Sequence, residues 1–125
     1  MRVRKLLDSF HYAIDGIIYT LKTQRNMKVH FLAAIAVLFL SLFLKVSKLE
    51  VLILFFTISL VIIAEMINTS IEAAIDLITD KYHELAKIAK NVAAGAVLIA
   101  SLNAIIVGYM IFFDRLTIFI LKLIM

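Results

Sequence analysis

The chain has 125 residues, of which 64% are hydrophobic and only 18% charged, with a mean hydropathy of +1.06; this is one domain at most, and too apolar for a soluble one. No cysteine is present, which excludes a disulfide framework, a thiolate metal site and a cysteine nucleophile. The net charge of +4 is spread along the chain with no basic, aromatic-interleaved face, so it reads as membrane topology and headgroup contact and not as nucleic-acid binding.

There is no proline, and the three glycines stand far apart. A chain so poor in breakers is mostly helix, and neither the Walker loop nor the dinucleotide fingerprint can be built from it. Residues 1–28 place Leu6, Phe10, Ile14, Ile17 and Leu21 at helical spacing among Arg and Lys side chains. That pattern predicts an amphipathic helix lying in the membrane surface. Asp8, His11 and Asp15 interrupt its apolar stretch along the sequence, so it is not expected to be a secretory signal.

Three apolar runs follow, at 31–44, 51–67 and 92–113. With their flanks they predict transmembrane helices over 29–46, 50–75 and 91–113, the first of them short for a bilayer. The link KVSKLE makes the first two an antiparallel hairpin. The whole, 1–125, is a single integral-membrane domain. The tail LTIFILKLIM, 116–125, is too short to span; it either prolongs the third helix or folds back along it. Gly95 with Ala93, Ala94 and Ala96 reads as a close-packing patch, and Asn103 as glue between helices. His11, His30 and His83 share no helical face at ligand spacing and read as interfacial or hydrogen-bonded side chains.

Nine of the thirteen Lys and Arg fall on the side of the N-terminus and the 76–90 loop. The richer side is expected to be cytoplasmic, which makes this a multi-pass protein of the plasma membrane with its N-terminus inside.

The second span runs into AEMINTSIEAAID, residues 64–76. Glu65, Asn68, Glu72 and Asp76 stand three, four and four apart, on one helical face. Carboxylates in a poorly hydrated place must be neutralised, paired or bound to a cation. Oxygen ligands without histidine or cysteine suit magnesium. Magnesium at a cytoplasmic membrane surface points to bound phosphate. Lys90 and Asn91, and Arg25, Asn26 and Lys28, lie near the same interface. The constellation fits phosphoryl transfer, which works mainly by positioning and charge neutralisation. Glu65, the deepest carboxylate, is the candidate base. A base at that depth needs an acceptor hydroxyl at that depth, hence a lipid alcohol.

The segments EMINTSIEAAIDLI and YHELAKIAKNVAAGAVL, with QRN-x-x-x-H at 24–30, resemble the prokaryotic integral-membrane diacylglycerol kinase family, in particular its Gram-positive undecaprenol kinase branch. The likeness runs from about residue 8 to 115. It implies an all-α homotrimer of protomers with a surface helix and three transmembrane helices, and sites at subunit boundaries. It implies Mg-ATP as phosphate donor and a lipid alcohol as acceptor: undecaprenol by branch, diacylglycerol as the alternative. By position Glu65 matches the catalytic base, Glu72 a metal-bridging carboxylate, and Asn68 and Asp76 supporting polar residues. Lys90 matches a nucleotide phosphate contact, and Tyr12 and Gly16 match positions that flank the nucleotide. Two residues depart from the pattern. Gln24 stands where the family has a metal-binding Glu, and Asn91 where it has Asp; each keeps an oxygen acceptor without the charge.

Three other readings stay open at this point. The stripe could be a polar knot that fixes packing between copies. The protein could conduct ions, although the outer half of the second span offers only Thr57 and Ser59. Or the chain could bind nucleotide or lipid without turning it over.

Overall fold

A computed structural model describes residues 2–125; Met1, the head of the expected surface helix, lies outside it. With no proline to interrupt them, the helices run long: α1 is Arg2–Thr23, α2 Arg25–Phe43, α3 Lys48–Ile78 and α4 Glu84–Ile124, and the described residues contain no strand. α2, α3 and α4 are each long and apolar enough to cross a membrane. The fold is therefore all-α, with an amphipathic first helix followed by three membrane-length ones.

The helix ends differ from the expected ones for local reasons. Gln24 adopts extended backbone angles (φ −99°, ψ 119°) and caps α2, so the surface helix stops at Thr23 and not at 28. α2 ends at Phe43 and not at 46. There Lys45 takes a positive φ of 50°, Val46 N–H donates to Ser41 O at 3.2 Å and Lys45 N–H to Leu42 O at 3.3 Å. That pair of bonds is a Schellman stop, which normally wants glycine at the position of Lys45. α3 starts on a capping box, with Glu50 N–H donating to Ser47 Oγ and Ser47 N–H donating to Glu50 Oε2. α4 starts at Glu84, with His83 Nδ1 accepting from Leu85 N–H, seven residues before the expected start at 91. It does not break at its far end either: the tail prolongs α4, and Phe119 meets Phe43 edge-on at 5.3 Å.

Hydroxyls inside the apolar helices are satisfied by the helices themselves. Ser41 donates to Val37 O, Thr57 to Ile53 O and Thr69 to Glu65 O. Each bond spans one turn, so a buried hydroxyl needs no partner from a neighbouring helix.

α3 and α4 form the most extensive helix pair, α2 packs on α3, and α1 joins them through its C-terminal end, where Thr20 and the adjoining Met27 are buried. Two ion pairs set the antiparallel register of α3 and α4. Lys90 pairs with Asp76, and Arg115 grips Glu50 with two bonds of 2.8 and 2.9 Å. The pairs lie 26 residues apart on α3 (50 to 76) and 25 apart on α4 (90 to 115), so both helices advance about 38 Å between them. A hydrocarbon core of roughly 30 Å fits within that interval. The dry core, Leu54 with Ile111 and Phe112, sits at the Glu50–Arg115 end. At the other end polar side chains, Glu65, Asn68 and Thr69, are buried beside Met27 and Ala93.

Candidate active site

α3 builds the site, because its turns place every third or fourth side chain on one face. Glu65 is 2% exposed, Asn68 7% and Thr69 5%. Asn68 Nδ2 donates to Glu72 Oε1 at 3.1 Å, one turn further on. That bond leaves Asn68 Oδ1 without a partner, and Glu65 Oε2 has none either. A buried polar atom left unpaired costs about 1–3 kcal/mol. Two such oxygens on adjacent turns form an acceptor-only cluster that wants a donor or a cation.

Above the cluster, about 16 Å along α3 from Glu65, lies the Asp76–Lys90 pair. It is half-open to solvent, with side-chain exposures of 64% and 38%. The pair stands in a groove of about 480 Å³ between the end of α3, the 79–83 loop and the start of α4. Asn91, Lys81, His83 and Lys87 also line it. The groove offers amines, amide and carboxylate together, a mixture suited to an anionic, hydrogen-bonding ligand that brings its own cation.

The structure thus brings together Glu65, Asn68 and Glu72 as one cluster, and Asp76, Lys90 and Asn91 as another on the same helix pair. It does not bring Tyr12, Gly16 and Gln24 to them within one chain. Tyr12 is 71% exposed. A Cβ at Gly16 would meet no atom within 4 Å, so nothing inside the chain demands glycine there. Among the described residues the Gln24 side chain reaches only the Thr23 hydroxyl, at 3.5 Å.

Among the described residues no three acidic or histidine side chains converge as a ready-made metal cage. The donor set still fits magnesium. That ion is commonly held by one or two carboxylates plus substrate phosphates, and the Glu72 carboxylate beside the unpaired oxygens supplies that kind of half-site. One neighbour of the cluster was not a candidate from the sequence. His30, on α2, is half-buried and lies close enough to Glu65 to act on its charge, as Glu72 does. Its only sequence signal is its place at the end of QRN-x-x-x-H; nothing in the primary structure pairs it with Glu65.

Three membrane-length helices with a carboxylate and polar side chains buried near one end, below a polar groove, define a small multi-pass membrane protein with a site at its surface. The chain belongs to the prokaryotic diacylglycerol kinase family, whose model matches residues 11–112. It is 46% identical over 104 residues to a diacylglycerol kinase of Synechocystis sp., a match covering 82% of this chain and 59% of that protein, hence less than two thirds of the relative's length. It is 41% identical over 114 residues to the undecaprenol kinase of Bacillus subtilis, covering 91% of this chain and 93% of that one. A diacylglycerol kinase of Escherichia coli shares 36% over 74 residues, or 59% of this chain and 61% of that protein.

Proposed function

We propose that the chain is a lipid kinase, transferring the γ-phosphate of Mg-ATP to a membrane alcohol, with undecaprenol as the acceptor and diacylglycerol as the alternative. Similarity across nearly the full length of the undecaprenol kinase favours the first alcohol. The observation that carries the reaction is Glu65: a carboxylate almost wholly removed from water, one oxygen unpaired, on the helical face that also holds Asn68 and Glu72.

In this reading Glu65 accepts the proton of the lipid hydroxyl as its oxygen attacks the γ-phosphorus. The new O–P bond forms as the bond from that phosphorus to the β,γ-bridging oxygen breaks, and ADP leaves. Asn68 fixes the Glu72 carboxylate through its amide. Glu72, with Gln24 offering a carbonyl, would hold magnesium, which when bound neutralises phosphate charge. Lys90 leaves Asp76 for a phosphate oxygen, Asp76 and Asn91 bond the nucleotide, and Tyr12 and Gly16 flank it from the surface helix. The α3–α4 loop and the N-terminus lie in the cytoplasm, where ATP is, and three copies assemble with sites at their boundaries.

The test is phosphate transfer from Mg-ATP to undecaprenol and to diacylglycerol in mixed micelles. Glu65→Gln is expected to lose about 100-fold or more of kcat, in the range of a missing general base, with little change in thermal stability. Substantial turnover in that variant would remove Glu65 from the base role.

A second reading rests on Gln24 and Asn91, each an uncharged stand-in for an acid. It makes the chain a family member that binds nucleotide or lipid without turnover. Nucleotide binding without phosphorylation, rescued by Gln24→Glu together with Asn91→Asp, would support it; no rescue would count against it.

A further inference from the structure

Between α2, α3 and α4 runs a groove of about 390 Å³, set into the apolar stretch of all three helices. Small and branched side chains such as Ala34, Val61, Ala104 and Gly108 form its walls, and Tyr109 lies at its far end. His30 heads it on α2, one turn before Ala33 and Ala34. On α3, Val61 lines the groove and Glu65 stands one turn beyond it, on the same face and buried like it. Because α2 and α3 are antiparallel, His30 and Glu65 meet at the same end. The imidazole therefore lines a lipid-depth space at the end of the helix pair where the buried carboxylate stands, which an interfacial anchor would not do. Among the described residues no hydrogen bond holds the ring, and Glu65 Oε2 has no partner either. Glu72 is the other charged group acting on Glu65, and it is itself held by Asn68.

We infer that His30 is a positioning residue for the acceptor alcohol: its ring N–H orients the Glu65 carboxylate toward the hydroxyl at the head of the α2–α3–α4 groove. The inference rests on the kinase reading above and names the group that keeps its base in place. The proton balance of the transfer is unchanged, since the hydroxyl proton goes to Glu65 and the imidazole takes none. His30 acts through Glu65, so its loss should slow the chemical step and leave nucleotide binding alone.

The experiment compares wild type, His30→Ala, His30→Gln and a control on the same helix outside the groove, Leu42→Ala, whose side chain is exposed, all as full-length protein in the same micelles. His30→Ala is expected to lower kcat about 10- to 100-fold, the scale of a misplaced reacting group, with KM for Mg-ATP unchanged. His30→Gln keeps an N–H donor and should recover much of the loss, while Leu42→Ala stays near wild type. The infrared band of the Glu65 carboxyl, assigned by its disappearance in Glu65→Gln, should move in His30→Ala and not in Leu42→Ala. Active wild type with undiminished His30→Ala overturns this inference alone, as does an unmoved band or a His30→Gln as slow as His30→Ala. No transfer by wild type to either alcohol removes the kinase reading and this inference with it.

Discussion

At the scale of single residues, the site turns on which oxygens carry charge. Glu72 is a carboxylate tied by Asn68; Gln24 offers a neutral carbonyl from the break between α1 and α2. If both reach magnesium, changing their charge should move the magnesium requirement in opposite directions. Gln24→Glu is expected to lower the magnesium concentration for half-maximal transfer about tenfold, and Glu72→Gln to raise it at least as much. A magnesium titration at fixed ATP checks both, and equal curves for Gln24→Glu and wild type would take Gln24 out of the metal site. The α3 stripe was legible in the sequence because its residues repeat at the period of their own helix. His30 was not, because its relation to Glu65 crosses from one helix to another and depends on how α2 packs. Lys90 and Asp76 both stood out in the sequence, but their pairing did not: the two are fourteen positions apart and meet only because the loop between them folds tightly.

At the scale of elements, the sequence told where helices are but not where they stop. The apolar runs marked three spans, yet α4 extends eight residues ahead of its run and past Asp114 and Arg115 to Ile124. Charge does not end a helix; only a lost backbone bond or an unfavourable backbone angle does. The Gln24 break is one residue wide and has no side-chain cap, so no capping motif announced it. The Glu50–Arg115 pair was equally silent, with 65 positions between its members. Glu50 is also held by the Ser47 cap. Arg115 in addition donates to Ile111 O at 2.8 Å, so both partners are fixed before they meet. A bidentate pair with both partners preorganised is one of the few ion pairs expected to contribute measurably. Arg115→Ala and Glu50→Gln should each lower the thermal midpoint in detergent, and the double variant should lose less than the two single losses together. Strict additivity would mean that the pair does not set the α3–α4 register. Because the pair lies at the end remote from Glu65, the KM for Mg-ATP should not move in either variant.

At the scale of the whole molecule, one chain is incomplete in two respects. Only 11–22% of the most apolar 18-residue stretch of each span is buried within it; Ala93 is buried, but a Cβ at Gly95 would meet nothing within 4 Å and Ala94 and Ala96 are exposed, so part of the small-residue patch expected there is left uncovered by its own chain. Lipid covers part of such a surface, but small residues and a polar Asn103 suit another helix better. The proposed site is incomplete in the same sense, since Tyr12 and Gly16, proposed to flank the nucleotide, are not joined to the α3 carboxylates. A trimer that pairs α1 of one copy with α3 and α4 of the next would complete both. Gly16→Leu should then abolish transfer without unfolding, because its side chain enters open space; Glu65→Gln is the complementary dead variant. In a cyclic trimer built from an equal mixture, three quarters of the assemblies contain both chains. Each of those holds one boundary with an intact α1 beside an intact α3, so activity should return to about a quarter of wild type. The measurement is transfer to undecaprenol after the two variants are denatured together and refolded, against each refolded alone. Recovery would place α1 and α3 of one site on different copies. Mixtures as inactive as their components, with wild type refolding to full activity, would put the whole site back within a single chain.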